Sequence, residues 1–351
     1  MGHTPRGRAS GENPKGRFER LEFEPEGPGA ESVATQFLRD DSRSILSRND
    51  SPDVPFTFSI NPYRGCEHGC IYCYARPTHE YLGLSPGLDF ETRILVKEQA
   101  PELLRDQLER QSWQPQIVAL SGVTDPYQPI ERRLELTRGC LRVLADFGNP
   151  VGVITKNRLV TRDIDILGEL AEQNAAAVTL SITTLDRELA RRMEPRTSTP
   201  RDRLRALEIL SKAGIACAVM MAPVIPGLND TELPAILQAA ADAGATSAGY
   251  LLVRLPGAVA PLFESWLEEN FPDRHGRVMN RIRDVRAGRL NETEFGRRMR
   301  GRGPYAEQIH GLFQTALRKT GLERRGRELS TAAFRRPGGA QLGLFESPAL
   351  D

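Results

Sequence analysis

Five short apolar runs recur through the middle of the chain, at Gln116–Leu120, Val151–Ile154, Ala177–Ile182, Cys217–Met221 and Gly249–Val253. They hold few charges, as strands buried on both faces of a parallel sheet do. Their starts lie 35, 26, 40 and 32 residues apart, room each time for a strand, a helix and two loops. An earlier stretch, Val54 to Ile60, alternates Val, Phe and Phe with smaller residues and reads as the first strand. Helical signatures fill the intervals. Pro101–Gln111 sets Leu103, Leu104 and Leu108 on one face. Thr199, Pro200 and Asp202 spell an N-cap, a proline at N1 and a short capping box. The helix that follows is expected to bury Leu204, Leu207 and Leu210 and to stop at Gly214. Asn229 and Glu232 read as a second capping box, before Leu233–Ala241.

Such repetition predicts an α/β fold, either a doubly wound sheet or a complete or partial barrel, with chemistry at the C-terminal ends of the strands. Four segments follow. Residues 1–50, rich in Gly, Pro, Arg, Glu and Ser without a sustained period, read as disordered or draped over the domain. Residues 51–256 form the core domain, 257–330 a basic helical extension, and 331–351 a flexible tail.

At 351 residues and 39% hydrophobic, the chain can bury a sizeable core. No apolar run approaches the roughly 18–20 residues that span a bilayer. Met1 to Gly16 is polar and lacks the apolar stretch of a secretory signal. The expectation is a soluble cytoplasmic protein with no membrane partner. Net charge is +1, unevenly spread. Residues 271–336 carry 17 Lys and Arg against 7 Asp and Glu, while residues 1–270 are net −7. The basic stretch is either a solvated helical surface or a surface for a polyanion such as nucleic acid.

Five cysteines, an odd number, argue against a disulfide framework. Three fall within eight residues in the loop after the first strand, as Cys66-x3-Cys70-x2-Cys73. A structural zinc site normally takes four ligands, often as two separated pairs. Three thiolates on a [4Fe–4S] cluster leave one iron without a protein ligand. That iron can chelate the amino and carboxylate groups of S-adenosylmethionine. One electron from an external donor then breaks a C–S bond and yields a 5′-deoxyadenosyl radical. Gly65 and Gly69 let the loop wrap closely. The alternatives are zinc completed by His68 or His79, in a non-catalytic nucleic-acid adaptor, or buried cysteines without a ligand.

Just past the strand ends stand groups suited to S-adenosylmethionine. Thr124 and Asp125 can meet its ammonium, Lys156 its carboxylate, and Ser181 and Thr183 its ribose hydroxyls or carboxylate. Tyr72 and Tyr74 flank Cys73 and can pack on the cluster or the adenine. The plainer readings are a turn at Asp125-Pro126, a surface cation at Lys156 and core packing for the tyrosines.

These residues also carry a resemblance. The quoted pieces are Asn61-Pro-Tyr-Arg-Gly-Cys66, Ser121-Gly-Val-Thr-Asp-Pro-Tyr-Gln-Pro-Ile-Glu131, Thr155-Lys156-Asn157 with Arg162-Asp163, Ser181-Ile-Thr-Thr-Leu-Asp186 and Pro223-Val-Ile-Pro-Gly-Leu-Asn-Asp230. In this order, over about residues 50–320, they resemble the radical SAM superfamily, in its spore photoproduct lyase-like branch. The resemblance implies a partial (β/α)6 barrel, a cluster on the three cysteines, and cofactor contacts at Thr124, Asp125, Lys156 and Ser181. Hydrogen abstraction from damaged DNA is the implied reaction; modification of RNA, protein or a small molecule is the alternative. One departure stands out. The lyases place a hydrogen-donating cysteine where this chain has Gly122, after Ser121. Cys140 and Cys217 read as packing residues, so the hydrogen donor and the substrate stay open. Near the C-terminus, Gln341-Leu-Gly-Leu-Phe345 resembles a sliding-clamp-binding pentapeptide, with Gly343 departing at its middle position.

Overall fold

The computed structural model describes residues 4–18 and 33–337. The pentapeptide Gln341–Phe345 lies outside the described residues. The chain first gives β1 (Gln36–Arg39), β2 (Leu46–Arg48), β3 (Phe58–Ile60), β4 (Tyr63–Arg64), α1 (Leu88–Thr92) and β5 (Arg93–Val96). Strand and helix then alternate through α2 (Ala100–Glu109), β6 (Val118–Leu120), α3 (Glu131–Leu134), α4 (Leu136–Phe147), β7 (Val151–Thr155) and α5 (Ile164–Glu172). Next come β8 (Ala176–Ser181), α6 (Arg187–Met193), α7 (Pro200–Lys212), β9 (Ala216–Val224), α8 (Leu233–Asp242) and β10 (Ser247–Leu252). Four helices follow: α9 (Val259–Asn270), α10 (Pro272–Asp284), α11 (Arg297–Arg300) and α12 (Pro304–Thr320).

Six strands run parallel in the order β10-β9-β8-β7-β6-β3, and β2 pairs antiparallel at the β3 edge. All six expected strands exist. The first is shorter than its pattern, because only Phe58–Ile60 pairs with β6. Along the central strands one set of side chains is fully buried, including Val151, Val153, Val178, Leu180, Val219 and Met221. It shares one core with Leu104, Leu144, Leu167, Leu207 and Leu237 of the covering helices. The alternate set on the other face is half-buried at Ile154, Thr179 and Met220, leaving the concave side partly open. A second sheet, in the order β1-β5-β4, lies beside the cysteine loop.

Local signals behaved unequally. Thr199 caps α7 as expected, its hydroxyl accepting from the Asp202 N–H at 3.2 Å. The capping box at Asn229 does not form. Asn229 instead accepts from the Ile225 N–H at 2.6 Å and donates to the carbonyls of Thr183 and Pro223, tying the ends of β8 and β9. Glu232 reaches back to the Thr184 hydroxyl and the Leu185 N–H. Long-range partners outcompeted the local cap.

The residues after β10 are helical, and α12 packs on α8. Ala306, Ile309, Phe313, Ala316 and Leu317 of α12 belong to the same core as the sheet. Truncating a buried phenylalanine typically costs about 3–5 kcal/mol. Phe313→Ala should therefore lower the denaturant midpoint of the whole sheet domain by a free energy of that size. Urea unfolding followed by far-UV circular dichroism checks it; a separate early transition would mean that α12 melts by itself.

Candidate functional site

The cysteine loop is built between β4 and the turn Arg76–Leu82. Cys66 and Cys70 are buried and Cys73 half-buried. Backbone hydrogen bonds coil the loop: Gly69 N–H donates to Cys66 O, Cys73 N–H to Cys70 O and Arg76 N–H to Cys73 O, each at 3.2 Å. The buried Arg76 holds it from beneath. Its guanidinium donates to Cys70 O at 3.0 Å, Gly69 O at 3.2 Å, and the carbonyls of Pro86 and Gly87. It also pairs with buried Glu91 at 2.6 Å. Glu91 in turn accepts from the N–H groups of Ala9 and Ser10, so the N-terminal segment drapes over the loop's outer side. Gly69 sits at φ +64°, and a Cβ there would lie 2.6 Å from Glu91 Oε2. Only glycine meets both conditions.

Three thiols in so tight a loop fit a cluster as donors. Burial pushes all three thiol pKa values up, helped by Asp125 at Cys66 and by Glu194 at Cys70. Thiolates here need a bound cationic centre to balance their charge. Among the described residues, no group of three His, Cys, Asp or Glu is gathered to hold a single metal ion. Each histidine near the loop is engaged through its Nε2, while neither Nδ1 makes a hydrogen bond among the described residues. His79 Nε2 lies 2.9 Å from Arg93 O, and burial pushes its pKa down to about 4. His68 is buried between Asp125, at 3.3 Å from Nδ1 without good hydrogen-bond geometry, and Asn157, at 3.3 Å from Nε2.

The strand-end residues divide into two groups. Thr124 and Asp125 are spent on the fold. Asn61 Oδ1 accepts from the N–H groups of Val123 and Thr124, and the Thr124 hydroxyl donates to Tyr63 O at 3.0 Å. Asp125 accepts from the Thr155 hydroxyl and the Lys156 N–H, both at 2.7 Å, and from the Tyr127 N–H at 2.9 Å. Burial works to raise its pKa, but His68, Thr155 and the Lys156 amide outweigh it, and the carboxyl stays below its usual range. Lys156 and Ser181 meet instead. Lys156 Nζ lies 2.5 Å from Ser181 Oγ and 2.9 Å from Ala222 O, 3.4 Å from Glu194 and 5.7 Å above the Tyr72 ring. Tyr72 is buried, with its hydroxyl on Glu194.

Glu194 is the residue that sequence reasoning missed. Fully buried, it accepts from Tyr72, Thr183 and Arg203 and lies beside Lys156. Burial works to raise its pKa, yet Arg203 and Lys156 hold it far below the usual carboxylate range. Its partner did leave a signal. Arg203 stands four and seven residues before Leu207 and Leu210, a cation on the buried stripe of α7.

Two further placements bear on chemistry. Gly122 sits at φ +112°, a conformation L side chains rarely adopt. Cys140 and Cys217 are buried in the main core. The exposed Tyr74 donates to Gly122 O at 2.5 Å, and Arg254, just past β10, stacks over its ring at 4.8 Å.

The Radical SAM superfamily profile matches residues 60–240. An uncharacterized protein of Mycobacterium tuberculosis (strain ATCC 25618 / H37Rv) is 41% identical over 234 residues, 66% of this chain and 68% of that one. An uncharacterized protein of Methanocaldococcus jannaschii is 27% identical over 224 residues, 64% of this chain and 80% of that one. Among solved structures, spore photoproduct lyase complexed with dinucleoside spore photoproduct superposes with a TM-score of 0.56 at 16% identity, covering 81% of this chain and 79% of that one. At that identity the likeness is one of fold. The profile spans just over half of the chain, across the cysteine loop and the strand ends that face it, and the chain belongs to the radical SAM superfamily of enzymes.

Proposed function

We propose that Cys66, Cys70 and Cys73 hold a [4Fe–4S] cluster with one open iron, that S-adenosylmethionine binds against it, and that the substrate is a nucleic acid, damaged DNA first. When bound and reduced by an external one-electron donor, this pair supplies a 5′-deoxyadenosyl radical for hydrogen abstraction. The observation that carries the reading is the loop itself: three clustered thiols on a backbone held by Arg76 at Gly69, Cys70 and Cys73 and by Phe90 at Cys66. Lys156, next to Ser181 and the Ala222 carbonyl, presents an ammonium toward the cofactor's carboxylate. Glu194 and Arg203 keep that ammonium in place. Asp125 and Thr124 support the site by joining the ends of β3, β6 and β7, with Asp125 also fixing the Lys156 backbone.

The nucleic-acid part rests on Arg254. This half-buried guanidinium makes no ion pair or hydrogen bond among the described residues, while its ring partner Tyr74 follows Cys73 directly. An unpaired cation at the mouth of the site suits an anionic substrate group such as a phosphodiester. Any return of a hydrogen atom to product differs from the thiol route, since Gly122 offers none. Anaerobic incubation with S-adenosylmethionine, reductant and ultraviolet-damaged DNA tests the whole reading. DNA-dependent 5′-deoxyadenosine and an altered nucleotide are expected; cofactor cleavage indifferent to DNA would move the substrate to RNA, protein or a small molecule.

Cys73→Ala should abolish cluster assembly and 5′-deoxyadenosine formation together. Iron and sulfide analysis with the product assay checks this, and a full cluster in the variant would refute the ligand set. Lys156→Ala should leave iron content intact and weaken S-adenosylmethionine binding about 10- to 150-fold, because a hydrogen bond to a charged group is worth about 1.5–3 kcal/mol. Equilibrium dialysis measures it, and unchanged affinity would reduce Lys156 to a strut for Glu194.

A further inference from the structure

A cavity of about 510 Å³ lies between the turn Arg158–Asp163 and α7. Four arginines line it: Arg132, Arg158, Arg162 and Arg205. Asp202 is the one carboxylate lining it among the described residues. Arg162 is already neutralised by Glu131 and Asp163. The other three have charge to spare. Arg158 reaches Asp202 only at 3.4 Å, with both side chains well exposed. Arg132 and Arg205 make no ion pair or side-chain hydrogen bond among the described residues. Apolar side chains, Leu159, Ala206 and the exposed Ile209, also line it.

Three under-used guanidinium groups interspersed with apolar side chains are suited to phosphates joined by less polar sugars and bases. The groove also abuts the candidate site. Lys156 O accepts from the Ser198 N–H at 3.2 Å, and Ser198 Oγ accepts from the Arg158 N–H at 2.9 Å. Ser198 thus ties the backbone of Lys156 to that of Arg158, which lines the groove.

We infer that this arginine-lined groove is an exosite for the phosphodiester backbone of a nucleic-acid strand whose target nucleotide enters the site beside Lys156. The inference rests on the nucleic-acid reading above and adds a location, since Arg132, Arg158 and Arg205 lie outside the reaction chamber. Phosphate contacts of this kind position a strand without reading its sequence.

The test needs binding only. Fluorescence anisotropy follows a labelled single-stranded oligonucleotide on the reconstituted protein across a salt series. In the triple variant Arg132→Gln, Arg158→Gln, Arg205→Gln, three lost contacts should flatten the slope of log K against log salt by about 2 and weaken binding at 50 mM salt on the order of 10- to 100-fold. Basal S-adenosylmethionine cleavage without nucleic acid should be unchanged, which shows that the variant is folded. Arg318→Gln, Lys319→Gln, Arg325→Gln removes equal charge elsewhere and should leave the slope nearly as in the wild type. If both triple variants flatten it equally, the attraction is diffuse and the groove is not a site. If the groove variant binds like the wild type, the groove is wrong while the nucleic-acid reading stands. A wild type that binds no oligonucleotide at 50 mM salt overturns both. Inorganic phosphate competing as well as the oligonucleotide would identify a phosphate pocket and overturn the strand assignment.

Discussion

The cysteine loop is held by one buried guanidinium. Arg76 spends its donors on four loop carbonyls and on Glu91, with both charges removed from water. Such a pair recovers its desolvation cost only where every donor and acceptor finds a partner, and deleting one member of a buried pair typically costs about 3–5 kcal/mol. Here the condition is met, because Glu91 also accepts two amides of the N-terminal segment. Orienting the carbonyls of Gly69 and Cys70 fixes the backbone that carries the Cys70 side chain. Loop, glycine, arginine, carboxylate and N-terminal drape are one unit, and ligand placement is a property of that unit rather than of the cysteines alone.

A second buried pair, Arg203 with Glu194, does the same on the other side of the chamber. Arg203 donates to Ser181 O and Ser198 O, both at 2.8 Å, and so joins the end of β8 to the start of α7. Glu194 then has one flank left for Lys156 and one for the Tyr72 hydroxyl. Two cations face one carboxylate, so the cluster leaves a positive charge near the open side. That surplus suits an anionic ligand group. The strand-end residues separate accordingly: Asp125 and Thr124 are engaged by the Thr155 hydroxyl and by backbone groups, whereas Lys156 and Ser181 bond each other and the Ala222 carbonyl.

The parallel strands were legible because strands with one face fully buried and the other half-buried carry few charges along their length, as Val151–Thr155 and Ala176–Ser181 do. Strand β1, exposed at all four positions, and the three-residue β2 leave no such trace; their pairing comes from β5 and β3. Thr199 was readable as a cap because its partner is three residues away. Asn229 was not, because its partners come from β8 and β9. The cysteines singled out their loop as a candidate site through spacing. Glu194 could not, since a lone glutamate after a short helix looks like any surface residue until Arg203 arrives from α7.

Charge was the least legible property, for a physical reason. The basic stretch after residue 270 suggests a polyanion surface, yet many of its arginines are structural. Arg286 is buried and donates to the carbonyls of Leu252, Val253, Arg297 and Arg298. Arg298 is tied to Asp53 and Arg302 to Glu292. Arg132, Arg158 and Arg205, by contrast, belong to the part of the chain that is net acidic. What an anion feels is the set of cations left unpaired within a Debye length of about 8–10 Å, and that set is assembled by folding. A groove can therefore be positive inside an acidic domain, while a basic segment spends its charge on its own backbone.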